Sequence, residues 1–319
     1  MDEIVITSGK LNHLIDPTLH IWGWEIPVYL FLGGLVAGIV ALSAIVVLLG
    51  KEKQMRVAAS KIPVLAPILL SIGMLALFLD LEHKLRVYQL YLTFQPTSPM
   101  SWGSWILILF YPFNLFFIVI QLKNGFPKFY NEFLLKRIPQ FDKIADFLVG
   151  FTKPITYINL ILGIAIGIYT GILLGTFSAR PFWNSAILGP LFLVSGLSAA
   201  AALIVLFSKE REEIKLFQKV DLGFIVVELL FLALLIIELA TGPEITKQAV
   251  HLIMGGELTA FFWIFVMGIG LIIPALLEVY EINGRHIPAA LSPTFVLIGG
   301  LLLRFLMVEA GQMSTWIPY

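Results

Sequence analysis

The chain has 319 residues, 59% of them hydrophobic and 13% charged, with 21 basic residues balancing 21 acidic ones. Its mean hydropathy of +0.93 excludes a soluble enzyme or binding module, so it reads as an integral membrane protein. It contains no cysteine, which excludes thiolate-bound zinc, iron-sulfur ligation and disulfides within this chain.

The first stretch, Met1 to His20, has neither a basic start nor an apolar core and does not read as a cleaved signal. Eight apolar runs follow, at roughly 27 to 50, 63 to 80, 102 to 122, 154 to 176, 185 to 207, 221 to 241, 258 to 279 and 290 to 310. Each is long enough to cross a hydrocarbon core of roughly 30 Å as a helix, and an isolated strand would leave its backbone unsatisfied in lipid. The expected fold is therefore all-α, with eight transmembrane helices. Segments 51 to 62, 123 to 153, 208 to 220 and 280 to 289 carry 15 of the 21 lysines and arginines. The positive-inside rule places those segments on the cytoplasmic side and both termini on the outer side of a prokaryotic cytoplasmic membrane.

Along the outer side the polar clusters come in order. Trp22-Gly23-Trp24-Glu25 and Tyr29 enter span one, and Asp80, Glu82, His83 and Lys84 end span two. Ser101, Trp102, Ser104 and Trp105 lead into span three, and Tyr169-Thr170 lies near the end of span four. The turn Ser178-Ala179-Arg180-Pro181-Phe182-Trp183-Asn184 follows, then Glu238 and Glu257 at the outer ends of spans six and seven. Interfacial aromatics serve first as anchors. Ionisable groups at or inside span ends are costly unless paired or wet, which marks Asp80, Glu238 and Glu257, and more so the deeper Glu228 and Arg304. An ion pair of Arg304 with Glu238, Glu257 or Glu309 is the structural expectation, and a proton route through Glu228, Glu238, Glu257 and Arg304 the functional one.

On the inner side, Phe126, Phe129, Tyr130, Phe133 and Leu134 repeat at helical spacing against Lys128, Asn131, Glu132 and Lys136. Residues 123 to 153 thus read as an amphipathic interfacial linker, starting at Pro127 and broken at Pro139. Leu30-Phe31-Leu32 with its following small residues recurs as Leu191-Phe192-Leu193, an offset of 161. Leu79-Asp80-Leu81 is matched by Ile237-Glu238-Leu239 at an offset of 158. The pattern suggests two four-helix bundles in parallel internal repeat. Residues 1 to 122 would hold the first three spans and 154 to 176 would complete that bundle. Residues 177 to 310 would form the second, with 311 to 319 an outer tail.

The five histidines, His13, His20, His83, His251 and His286, fall in loops or at span edges, which argues against a haem held across the bilayer. No metal-ligand spacing, phosphate-binding glycine loop or nucleic-acid-binding pattern stands out.

Trp24-Glu25-Ile26-Pro27 with Tyr29 through Gly34, Ser98 through Trp105, Ala179 through Asn184 with Leu191 through Ala200, and Gly299 through Arg304 resemble the NrfD family of polysulfide reductase-like membrane subunits. The resemblance implies a haem-free subunit that exchanges electrons with a quinone pool, menaquinone or ubiquinone, near the outer surface. It also implies an outer ferredoxin-like iron-sulfur subunit, usually with a molybdopterin catalytic subunit beyond it. On that reading Tyr29, Asp80, His83 and Arg180 are the reactive candidates. Tyr29 would hydrogen-bond a quinone oxygen, Glu25, Asp80 or His83 would accept a proton, and Arg180 would steady negative charge. Trp102, Ser104 and Tyr169 join Glu25, Tyr29 and Arg180 as candidate quinone-binding residues. This chain departs from relatives that carry Asn and His on the first turns of span one, where it has Ile26 and Tyr29, and from the Asp-Leu-Gly-Arg-Pro pattern, where it has Asp80-Leu81-Glu82-His83-Lys84. A secondary transporter and a passive anchor for an outer enzyme are the alternative classes.

Overall fold

A computed structural model describes residues 22–177, 179–283, 285, 288 and 290–315. Ser178, His13, His20 and His286, singled out in the sequence, lie outside the described residues, as does the stretch Met1 to His20. Eight helices among the described residues are long and apolar enough to cross a membrane. They are α1 (Glu25–Leu48), α2 (Val57–Asp80), α3 (Pro99–Gly125), α4 (Thr152–Gly175), α5 (Leu188–Phe207), α6 (Arg211–Thr241), α7 (Phe261–Ile282) and α8 (Leu291–Met313). The chain is a multi-pass membrane protein of helices alone among the described residues.

Two spans begin well before their apolar runs, by more than a helical turn. α2 starts at Val57, through a π turn over Val57–Lys61 and a 3-10 turn over Ile62–Val64, and α6 starts at Arg211. Hydropathy marks where a helix leaves the hydrocarbon, whereas the backbone ladder continues as long as its buried face has a partner. Here Ala58, Ala59 and Ser60 of α2 and Glu213 and Phe217 of α6 are buried.

The helices differ in what surrounds them. Of the most apolar stretch in each, 78% is buried in α1 and 67% in α5, but only 28% in α3 and α6. A helix apolar on all sides belongs in the interior. Accordingly α1 packs on α2, α4, α5 and α8, and α5 packs on α1, α4, α6 and α8, while α3 leans on α4 and α7 on α8. Small residues permit the central crossings. A Cβ on Gly38 would collide with the Gly196 carbonyl, and one on Gly196 with the Gly34 carbonyl, so α1 and α5 touch backbone to backbone. Gly270 and Gly299 bring α7 onto α8 in the same way.

Between α3 and α4 the polypeptide forms short helices over Phe129–Leu134, Leu135–Arg137 and Phe141–Val149, with Pro139 in the break. Their exposed Phe129, Phe133 and Phe147 suit a lipid interface. Tyr130 ties the two arms together by donating to Asp142 Oδ1 at 2.7 Å. Burial, then that bond, pushes the Tyr130 phenol up to about 12.

Candidate functional site

Two polar regions stand out, at different depths. The first is in the half of the bilayer nearer Glu25 and Asp80. Tyr29 is buried on the second turn of α1, beside Gly73 of α2. Tyr169, on α4, rests its phenol in the notch left by Gly103 of α3. Tyr91 comes from the short helix Gln89–Leu92, and the Tyr29 phenol is within electrostatic reach of both. Burial and the neighbouring Tyr111 phenol raise the pKa of Tyr91. Three phenols, from α1, α4 and the α2–α3 connection, thus converge where large side chains are missing from α2 and α3. Each can donate to or accept from a polar ring oxygen. Asp80, the last residue of α2, lies within electrostatic reach of Glu25. His83 is exposed in a neighbouring cavity of about 400 Å³ lined by Leu81, Glu82, Arg86, Gln89 and Leu90.

Other candidates on this side make hydrogen bonds to the backbone. The Trp102 indole donates to Pro96 O at 2.6 Å, and Ser104 donates to Ser101 O at 2.8 Å. Arg180 Nη1 donates to the carbonyls of Gln312 at 2.8 Å and Ser314 at 3.1 Å, at the C-terminal end of α8. A guanidinium suits that position, because the last carbonyls of a helix lack intrahelical donors. Trp183 completes the clasp by donating to Met307 O at 2.7 Å from the notch at Gly311. Trp22 stacks on it at 5.1 Å and exchanges two hydrogen bonds with Gln312, of 2.8 and 3.1 Å. The conspicuous turn at 179–184 therefore locks the start of α1 to the end of α8.

The second region lies among α5 to α8. Arg304 is 1% exposed, with its guanidinium 3.9 Å from the Phe192 ring centre and Nη2 donating to Phe192 O at 3.0 Å. The carboxylate within its electrostatic reach is Glu228, which also faces Ser195. Arg304 Nε and Nη1 are buried with no hydrogen-bond partner among the described residues. One helical turn further toward the 208–210 end, Ser198 donates to Asp221 Oδ1 at 2.5 Å. Asp221 in turn meets Glu278 of α7, which accepts from Ser292 at 3.3 Å. Beyond these, Gln218 donates to Glu281 at the α7 end. Glu238 accepts from Ser185 and is exposed, as is Glu257, so both sit at the helix ends rather than beside Arg304. Among the described residues no group of three or more His, Asp or Glu side chains is placed to hold a metal ion.

A family model described as "Polysulphide reductase, NrfD" matches residues 13–315. The chain belongs to the NrfD family. Protein NrfD of Escherichia coli is 31% identical over 315 residues, covering 92% of this sequence and 96% of that protein. A polysulfide reductase component of Wolinella succinogenes is 30% identical over 309 residues, covering 92% and 94%. A selenate reductase component of Mesobacillus selenatarsenatis is 26% identical over 322 residues, covering 90% and 73%.

Within this NrfD-family protein, sequence reasoning missed Tyr91, Asp221 and Glu278. Tyr91 sits in a connection with no span to give it a depth. Asp221 and Glu278 stand at the edges of apolar runs, where a carboxylate reads as a solvated helix end, yet they are 0% and 1% exposed. Their signal was register. Asp221, Ile225, Glu228, Leu232 and Leu235 are spaced at three and four residues, and all are buried on one face of α6.

Proposed function

We propose that this protein is the haem-free membrane subunit of a respiratory reductase complex. It would exchange electrons between a membrane quinone pool and an iron-sulfur subunit docked on the Glu25 side. The observation that carries this reading is the convergence of Tyr29, Tyr91 and Tyr169 beside the Asp80–Glu25 pair, in a membrane subunit whose relatives are named as components of reductases. A quinone headgroup needs hydrogen-bond partners at two opposed oxygens and a proton acceptor close by. Phenols from α1 and α4 supply the partners, and Asp80 with Glu25 takes the protons as quinol gives up two electrons and two protons. A ferredoxin-like partner receives the electrons, with a molybdopterin subunit the expected catalytic component beyond it. Either menaquinone or ubiquinone fits this chemistry.

We infer further that protons cross through the second half. Glu281, Glu278, Asp221, Ser198, Ser195, Glu228 and Arg304 form a succession of polar groups from the end of α7 into the middle of the protein. Intramembrane ionisable residues that face a bundle interior are characteristic of ion pathways. The packing partners also support a two-bundle parallel repeat, since α1 with α2 and α4 corresponds to α5 with α6 and α8. Both termini on the outer side follow from the charge distribution.

The reading is tested by purifying the complex in mild detergent and assaying quinol-linked turnover. A cysteine-rich partner and bound quinone should travel with the protein, and Tyr29→Phe and Asp80→Asn should slow turnover. Unchanged turnover in both variants would remove the tyrosine cluster from the site, and a protein isolated alone and quinone-free would remove the function.

A further inference from the structure

At the helix ends opposite the tyrosine cluster, a cavity of about 780 Å³ opens between the α1–α2 and α5–α6 connections. Lys53, Arg56 and Lys61 line it from one connection, and Lys209 and Arg211 from the other. Basic loops are ordinary on the cytoplasmic side of membrane proteins, so the charge alone identifies nothing. Three other features do.

The first is that these cations are unspent. Among the described residues none of the five lies within 4.0 Å of a carboxylate, although Glu210, Glu212 and Glu213 share the cavity. Glu213 is 1% exposed and fully committed, accepting from Ala58 N–H at 2.9 Å and from Ser208 at 2.7 Å. That buried carboxylate pins the start of α2 to the start of α6, so both basic connections are held facing one concavity. The second is that the 31-residue helix α6 begins here with no side chain capping its N-terminus, which leaves its first backbone donors uncapped beside the first-turn Glu212 and Glu213. The third is pairing. Lys51-Glu52-Lys53 recurs as Lys209-Glu210-Arg211 at an offset of 158, the spacing that also relates Asp80 to Glu238. From the first triplet Lys53 reaches the cavity and from the second Lys209 and Arg211, so equivalent connections approach the same space from opposite sides. Val57 and the exposed Phe207 give the cavity an apolar edge next to the hydrocarbon.

We propose that this cavity binds the headgroup of an anionic phospholipid carrying two phosphodiesters. One phosphate would be held by Lys53 and Arg56, the other by Arg211 and Lys209, with the acyl tails leaving past Phe207. Concave basic sites between helix ends at this face recognise such headgroups. Two groups of cations on facing connections, Lys53 with Arg56 and Lys209 with Arg211, match a ligand with two like charges better than one with a single phosphate. The site is separate from the tyrosine cluster and does not depend on the quinone reading.

The test uses the purified complex in nanodiscs of zwitterionic lipid. Diphosphatidylglycerol, phosphatidylglycerol or inorganic phosphate is added, and the bound anion per complex is counted by native mass spectrometry. The two-phosphate lipid should be retained over the other two. Lys53→Gln with Arg211→Gln should weaken that retention roughly 30-fold, from two cations acting at the surface. Lys123→Gln with Lys128→Gln, at the same membrane face but outside the cavity, should leave it unchanged. If the double variant does not assemble, the single variants Arg56→Gln and Lys61→Gln, both at exposed side chains, report the same loss in smaller steps. Equal retention of phosphatidylglycerol or of inorganic phosphate would overturn the proposal, as would equal loss in the control pair.

Discussion

Spans α1 to α4 and spans α5 to α8 put different chemistry inside the protein. In α1 to α4 the polar groups that gather around Tyr29 are phenols, Tyr169 buried on α4 and Tyr91 half-buried on the α2–α3 connection, beside small residues. In α5 to α8 they are carboxyls, hydroxyls and one guanidinium, strung from the middle of the protein toward the opposite surface. Phenols can hold a neutral aromatic ligand without introducing charge, whereas carboxyls spaced by hydroxyls can pass protons. On the proposed function the first four spans hold the redox substrate and the last four carry ion movement. Between them lies the glycine crossing of α1 and α5, on which the Arg304 guanidinium rests beside Gly34.

The most disruptive way to break this comparison is at the crossing itself. Gly196→Leu should abolish assembled protein, because its side chain meets the Gly34 backbone, which cannot yield. Detergent-soluble, monodisperse yield is the measure. Next comes the charge at the junction. Arg304→Met removes the hydrogen bond to Phe192 O and the cation within electrostatic reach of Glu228, and should destabilise the protein by about 1–3 kcal/mol, the cost of stranding a buried polar group. Arg304→Met with Glu228→Gln should recover much of that loss in thermal unfolding. If the double variant is no better than the single one, the two residues are not a pair. A third change sharpens the contrast within the first half. Tyr169→Phe should reduce quinol-linked turnover on the order of 10-fold, as losing one hydrogen bond of about 1.4 kcal/mol does, and leave thermal stability nearly unchanged. A larger effect on stability than on turnover would make Tyr169 a packing residue.

The smallest effect concerns the interfacial linker. Its Tyr130 phenol is raised from 10.0 to about 12, so the folded linker holds that proton more tightly than the unfolded one. The stabilisation is fully present below about pH 10 and is lost as pH rises toward about 12. Protection of the amides in residues 129–149, taken relative to their intrinsic exchange at each pH, should fall over that window, and Tyr130→Phe should remove the fall.

Much of the frame was legible from hydropathy, because a bilayer permits little besides helices of fixed minimum length. Two span starts were not, since α2 and α6 continue past their apolar runs on the strength of buried faces that hydropathy does not register. The candidate site was half legible. Tyr29, Tyr169 and Asp80 could be picked out because each stands near an outer helix end in an otherwise apolar stretch. Arg180 was equally conspicuous, but the structure engages it with the carbonyls ending α8, a partner 132 residues away that no local pattern announces. Asp221 and Glu278 were overlooked for the converse reason. A carboxylate at the edge of an apolar run looks solvated until the facing helix is known.

The division of labour between the halves is tested most directly by measuring quinol oxidation and proton release together in the reconstituted complex, for Tyr29→Phe and Glu228→Gln. Tyr29→Phe should slow both in parallel and leave the proton-to-electron ratio unchanged, whereas Glu228→Gln should lower the ratio and largely spare electron transfer. A Glu228→Gln variant with an unaltered ratio, or a Tyr29→Phe variant with unaltered quinol oxidation, would contradict the account.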